Sequence, residues 1–291
     1  MDRKSLPDFM IVGAPKCATT SIHSYLEGHV DVSMSNPKEL NFFSSKKIES
    51  VGCYYSDFKV TSLQEYSKIF LNMDDCKLKG EASVSYFTYP EVSRDIKKAI
   101  PDCKIIIVLR DPLQRTLSHY LMDRKLGFAN RPILDFLKEF EVGNFDIRYY
   151  NQYIQNSMYY EGVKSYIDSF GVDNVLVLNQ EEIKENIFSV LTKLANFLSI
   201  KNDWNNVNLA SVNTYKMPRS KMLGYLYSLR TTRKILVKLV PRRILDSILN
   251  VIMTSKEKPG LSKEEEILLR SLLHADTEKF KNLMGKEYSK W

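Results

Sequence analysis

Long hydrophobic runs are missing from this chain of 291 residues. No apolar stretch is long enough to cross a bilayer, and none of signal-peptide type precedes Phe9. The simpler expectation is a soluble, cytoplasmic bacterial protein; the other is the catalytic part of an anchored enzyme without its anchor. Histidine and cysteine are scarce, at four each. His23, His29, His119 and His274 are scattered without ligand spacing, so no metal is expected. Cys17, Cys53, Cys76 and Cys103 form no C-x-x-C pair, which fits a reduced setting better than a disulfide framework. Internal repeats and low-complexity tracts are also missing.

What is present is a hydrophobic fraction of 44%, enough for one large domain or two small ones. The net charge is +7. That surplus suits nucleotides, anionic polysaccharide, nucleic acid or a membrane surface, and does not choose among them.

The stretch Phe9-Met10-Ile11-Val12-Gly13-Ala14-Pro15-Lys16-Cys17-Ala18-Thr19-Thr20-Ser21 organises the rest. Four apolar residues read as a buried strand, Gly13 and Pro15 break it, and Ile22, Tyr25 and Leu26 continue at helical spacing. A strand, a tight turn and a helix start aim backbone N–H groups and the positive end of the helix dipole at one point, which favours a phosphate. Lys16 adds charge, and Thr19, Thr20 and Ser21 add hydroxyls. The alternative is an ordinary strand-to-helix turn with a surface lysine. The nucleoside-triphosphate loop G-x-x-x-x-G-K-[ST] is not matched: Ala18 stands for its second glycine and Thr19 for its lysine.

A second unit follows the same plan. Lys104 to Arg110 is an apolar, β-branched strand; Asp111 is a helix cap, and Pro112 suits the first helical position. Arg110 therefore closes a strand, with Ser118 about two turns into the next helix, where open α/β sheets bind ligands. A guanidinium there could grip a phosphate through two parallel hydrogen bonds, or serve as a structural ion pair. Helices are also expected over Leu63–Phe70, Glu91–Ile100, Asn156–Phe170 and Ile187–Leu198, with a strand at Val175–Leu178. Ser262 and Glu265 form a capping box for a last helix reaching Met284. Tyr159 reads as core packing or cleft lining.

Taken together, these stretches resemble the PAPS-dependent sulfotransferase family, whose donor is 3′-phosphoadenosine 5′-phosphosulfate (PAPS), over Phe9 to about Leu198 with a weaker tail. The Lys16 loop looks like that family's 5′-phosphosulfate loop, with Ala18 at its glycine, and implies donor contacts from Lys16, Cys17, Ala18, Thr19, Thr20 and Ser21. Arg110-Asp111-Pro112-Leu113-Gln114-Arg115-Thr116-Leu117-Ser118-His119-Tyr120 is similar to its 3′-phosphate motif and implies that Arg110 and Ser118 hold that phosphate. Lys38-Glu39-Leu40-Asn41-Phe42-Phe43 is similar to the Glu-x-x-Phe-Phe stretch of heparan-type glycan sulfotransferases and implies Glu39 as catalytic base; by residue type alone Glu39 is a surface glutamate. Asn41 replaces a frequent histidine, and Ala82 replaces a lysine in the turn that Glu81 begins. A basic loop at Lys216 and Arg219 is expected over the 3′-phosphate.

The resemblance implies an α/β, P-loop-like three-layer fold: a mainly parallel central sheet flanked by helices, plus a helical C-terminal part. Residues 1–291 would be one domain, with a donor-binding core at 7–200 and the basic loop and helical part at 213–291. The implied reaction moves a sulfonate from PAPS to an acceptor hydroxyl, releasing 3′,5′-adenosine bisphosphate (PAP), with Glu39 as base, Lys16 steadying the leaving group and no metal. A sugar or polysaccharide acceptor is expected and no nucleic-acid partner. The basic stretch 223–253 reads as lid, acceptor groove, membrane-surface contact or plain packing, and oligomeric state stays open. The rival readings are a phosphate-loop nucleotide kinase and a non-catalytic polyanion- or membrane-binding protein.

Overall fold

The computed structural model describes residues 5–52, 60–74, 77–209, 216–229, 251–255, 258–285, 288 and 291, the side chains of 216–217, 221, 224–226 and 255 excepted. Along the chain come β1 (Phe9–Gly13), α1 (Thr19–Glu27), β2 (Val32–Met34), α2 (Ser45–Val51), α3 (Leu63–Leu71), β3 (Leu78–Ala82), α4 (Val92–Ala99), β4 (Lys104–Leu109) and α5 (Pro112–Leu126). Then follow α6 (Ile133–Glu141), α7 (Ile147–Tyr153), α8 (Tyr160–Phe170), β5 (Val175–Asn179), α9 (Gln180–Glu185), α10 (Ile187–Leu198), β6 (Lys216–Pro218), α11 (Lys221–Ser228), β7 (Met253–Ser255) and α12 (Lys263–Met284).

Five strands form one parallel sheet in the order β2-β3-β1-β4-β5. Helices cover such a sheet on both faces, so its central strands read as unbroken apolar runs. Accordingly Phe9 to Val12 and Ile105 to Leu109 are fully buried. This is the parallel α/β fold that the sequence implied. Because β1 lies between β3 and β4, the carboxyl ends of all three open onto one edge, where ligands bind in sheets of this kind. The β1–β4 register slips between Ile11 and Gly13, which turns the end of β1 into its loop.

The expected caps are in place. The Asp111 carboxylate accepts from the Gln114 N–H at 2.8 Å, and Ser262 and Glu265 form the capping box of α12. The expected helix from Asn156 starts later: Gln155–Ser157 is a short 3-10 turn, and α8 begins at Tyr160. Asp276 causes this, since its carboxylate accepts from the Tyr159 N–H at 2.6 Å and the Tyr160 N–H at 3.3 Å, capping the helix from α12. Residues 216–218 are not loop but strand β6, paired antiparallel with β7. Helices α2, α6 and α7 had no expectation behind them.

Two apolar clusters hold the helices. One surrounds the sheet and takes in Phe280, Tyr288 and Trp291 from the tail. The other joins α5, α6, α7 and α12 through Leu117, Phe136, Tyr153 and Leu273. Among the described residues no helix is long and apolar enough to cross a membrane. Cys17 and Cys103 are buried free thiols; Cys53 and Cys76 lie outside the described residues, as do positions 230–250 of the basic stretch.

Candidate active site

Gly13 sets up the first loop. A Cβ at this position would stand 2.2 Å from the Phe87 Cβ, so only glycine lets β1 end this close to the turn after β3. The Ala14 N–H bonds the Val108 carbonyl at 2.8 Å and ties the loop to β4. Lys16 and Ala18 both take left-handed backbone, with φ of 73° and 63°. Glycine would adopt that conformation freely; at Ala18 it costs about 1 kcal/mol. The fold accepts the cost because Ala18 starts α1 and exposes first-turn N–H groups that no helix can satisfy internally.

Beneath the loop, Cys17 is fully buried, its Sγ 3.7 Å from the Pro15 carbonyl oxygen and 3.9 Å from the Tyr159 hydroxyl. Burial pushes its thiol up to about 11, so it stays protonated and points away from solvent. Tyr159 is core rather than cleft: it is 1% exposed, and its hydroxyl donates to the Arg110 carbonyl at 2.9 Å. One tyrosine thus braces the loops after β1 and β4 from the same side.

A cleft of about 1070 Å³ opens above them. Lys16, Ala18, Thr19, Thr20 and Ser21 line it, with Glu39 from the loop after β2, Arg110 from the end of β4 and Ser118 from α5. The structure therefore brings together eight of the expected site residues. Cys17 supports from below. Arg219 is exposed, with its backbone N–H on the Ile252 carbonyl at 2.9 Å, and does not line the cleft. Lys216 begins β6, and its side chain lies outside the described residues.

Among the described residues the lining carries five cations, Lys16, Arg110, Lys125, Lys184 and Lys258, against one carboxylate, Glu39. Lys258 and Lys184 were not anticipated. The only signal for Lys258 was its place just before the capping box of α12. Its Nζ lies 3.4 Å from Gln114 Oε1. Burial, together with the Arg110, Lys184 and Lys16 cations, brings its pKa down to about 8. Lys16 is also pushed down, by burial first and then by the Arg115 cation. Its Nζ rests against Met122 Sδ at 3.4 Å. The buried Nε of Arg110 finds no partner among the described residues. Five cations against one carboxylate in the lining, beside an orphaned guanidinium N–H, fit a polyanionic ligand such as a nucleotide phosphosulfate.

The loop bearing Glu39 is held differently. Glu39 and Asn41 both have positive φ, 65° and 53°. Such strain persists only where neighbours over-determine it. Here the Glu39 N–H donates to the Ala82 carbonyl at 2.9 Å, and the Asn41 N–H donates to Ser83 Oγ at 2.9 Å. Ser83 in turn donates to Glu81 at 2.6 Å. Glu81 is fully buried and also accepts from Tyr66 at 2.5 Å and Tyr86 at 2.7 Å. Burial pushes its pKa up, and the three hydroxyl donors pull the other way. Lys38 bridges the Thr20 hydroxyl at 3.0 Å and the Glu39 carboxylate at 3.5 Å, joining the two loops.

A family model for the sulfotransferase domain matches residues 6–231. This chain belongs to the sulfotransferase family. It is 26% identical over 214 residues to a bifunctional heparan sulfate N-deacetylase/N-sulfotransferase 1 of Caenorhabditis briggsae, covering 68% of this chain and 23% of that protein. It is 24% identical over 248 residues to carbohydrate sulfotransferase 15 of Mus musculus, covering 68% of this chain and 44% of that one. The chain thus spans less than half the length of these relatives. In fold it is similar to a sulfotransferase from Alicyclobacillus acidocaldarius, with a TM-score of 0.68, 22% identity and 95% of each chain covered. In this sulfotransferase the matched region takes in both strand-turn-helix units and stops short of Lys258.

Proposed function

We propose that the chain transfers a sulfonate from PAPS to an acceptor hydroxyl on a carbohydrate, acting as one domain. The observation that carries this is the cleft's charge: five cations and one carboxylate meet where β1 and β4 end. The names of the relatives, which act on heparan sulfate and carbohydrate, support a sugar acceptor.

Bound PAPS would supply the sulfonate, its bond to the leaving phosphate oxygen breaking as the acceptor oxygen bonds to sulfur. Arg110, Ser118 and Lys258 hold the 3′-phosphate, and Lys258 takes the part expected of Arg219, which does not line the cleft. The N–H groups of Thr19 and Thr20 and the hydroxyls of Thr19, Thr20 and Ser21 hold the 5′ side. Glu39 takes the acceptor proton, and Lys16 neutralises charge that grows on the leaving oxygen, as cations do in phosphoryl transfer.

Calorimetric titration with PAP, beside ATP with Mg²⁺, tests the donor site. PAP is expected to bind, and Arg110→Ala to weaken it about tenfold or more, the scale of charge-assisted bonds to a phosphate. Preference for ATP would point to a kinase instead.

Lys258 adds a pH test. Its pKa near 8 means that it carries charge below that value and loses it above. An anion binds the charged form better, so PAP affinity should be full at pH 7 and fall about threefold to tenfold by pH 9. Lys258→Arg, which stays charged, should flatten the profile. A profile that Arg leaves unchanged would remove Lys258 from the donor site.

A further inference from the structure

The cleft is divided by charge in a way that speaks to the acceptor. Four of its cations, Lys16, Arg110, Lys184 and Lys258, lie near one another: burial first, and then the charges of the other three, lower the Lys258 pKa. The fifth, Lys125, holds its ammonium 5.8 Å from the centre of the Tyr227 ring. The wall that starts at Glu39 is different. Asn41 Nδ2 donates to the Glu39 carbonyl at 3.0 Å, and Ser85 donates to Asn41 Oδ1 at 2.5 Å. Three residues along the same turn, Thr88 donates to Asn156 Oδ1 at 2.6 Å, and Asn156 Nδ2 lies 3.5 Å from Gln152 Oε1. All five of these side chains line the cleft, and none is ionisable.

We propose that this row is the acceptor subsite and that it takes an uncharged saccharide. The inference rests on the sulfotransfer reading above and narrows its substrate class. An amide nitrogen has two hydrogens, and Asn41 and Asn156 commit one each within the row. Asn156 and Thr88 are buried and order the row from behind, and the half-buried Asn41, Ser85 and Gln152 are the members that can meet sugar hydroxyls, which both donate and accept. A uronate or sulfated sugar laid on the same row would lose hydration without gaining an uncommitted counter-charge among the described residues, since Lys38, the cation at the head of the row, is committed to Glu39 and Thr20. It would also face the Glu39 carboxylate, the only acid in the lining among the described residues. The row thus favours neutral sugar at the reacting end and leaves the four-cation cluster to the donor.

The test measures sulfonate incorporation from labelled PAPS into neutral oligosaccharides (malto-, cello- and N-acetylchito-oligomers) and into heparosan and polygalacturonate fragments of similar length. PAP titration runs in parallel. The best neutral acceptor should exceed the best uronate acceptor at least about tenfold in kcat/KM. Its KM should change less than about twofold between 50 and 200 mM salt, since no ion pair is screened. A second variant, Gln152→Lys, puts a cation on the row, keeps the Gln152 backbone contacts and should narrow the ratio about tenfold with PAP affinity unchanged. A uronate preference that weakens with salt would overturn the inference. So would an unchanged ratio in Gln152→Lys, or sulfation of neither class while PAP still binds, and each of these leaves the donor site standing. Loss of PAP binding by the wild type would remove the sulfotransfer reading and this inference together.

Discussion

Glu39→Gln should lower turnover by about 100-fold or more, the range for loss of a general base, while PAP binds as before. Glutamine has nearly the shape of glutamate but cannot accept the acceptor proton as it leaves. The backbone of the loop should survive, because the bonds that hold it use main-chain atoms: Glu39 N–H to Ala82, the Glu39 carbonyl to Asn41, and Asn41 N–H to Ser83. What is lost is the contact between Lys38 and the Glu39 carboxylate at 3.5 Å. Both side chains reach solvent, so that contact contributes at most about 1 kcal/mol. Steady-state kinetics with saturating donor, beside calorimetry with PAP, measures both sides. Wild-type turnover in the variant would take Glu39 out of the base role.

Lys16→Ala is the second large effect. Turnover should fall about 100- to 1000-fold, the scale for removing one electrostatic contact to developing charge, with PAP affinity reduced much less. Lys16 sits in a place unfavourable to a cation: burial and the Arg115 guanidinium push its pKa down, and its Nζ rests on a thioether. Negative charge growing on the leaving oxygen relieves that cost in the transition state more than in the ground state, so the benefit should appear in kcat. Alanine keeps the Cβ and therefore the same left-handed backbone at φ 73°. The loop should hold its shape, and single-turnover rates can be compared directly with titrations. A loss confined to binding would count against the leaving-group role and leave Lys16 as an anchor.

How far these sites could be read from sequence depended on the distance over which each is assembled. The loop from Gly13 to Ser21 and the turn from Arg110 to Ser118 are local. Strand, breaker, cap and helix period all lie within about a dozen residues, and each signal has a short-range cause. Both were legible. The capping boxes and the Asp111 cap were too. The base loop was legible only through its likeness to other sequences, since nothing local distinguishes Glu39 from a surface acid. Its strained backbone is imposed by Ala82 and Ser83, more than forty positions away. Lys258 was missed for the same reason. It lies after both basic stretches that the sequence singles out, Lys216 to Arg219 and 223–253, and nothing local marks it as a cleft residue.

The sequence by itself determined the parallel α/β class, the two strand-to-helix turns with Lys16 and Arg110, and the family. The turns rest on backbone preferences and apolar periods that act over one turn or one strand, and the class and family rest on the resemblance of these motifs to a known family. Only the tertiary structure decided that Glu39 lines the same cleft as Lys16, that Cys17 and Tyr159 brace from beneath, and that Lys258 joins the cations of the cleft. It also decided that Asn41, Ser85, Thr88, Asn156 and Gln152 form one uncharged row. The physical reason is the strand order. Placing β1 between β3 and β4 brings three distant segments to one edge, and the charges and hydrogen-bond partners of a residue exist only once those segments meet.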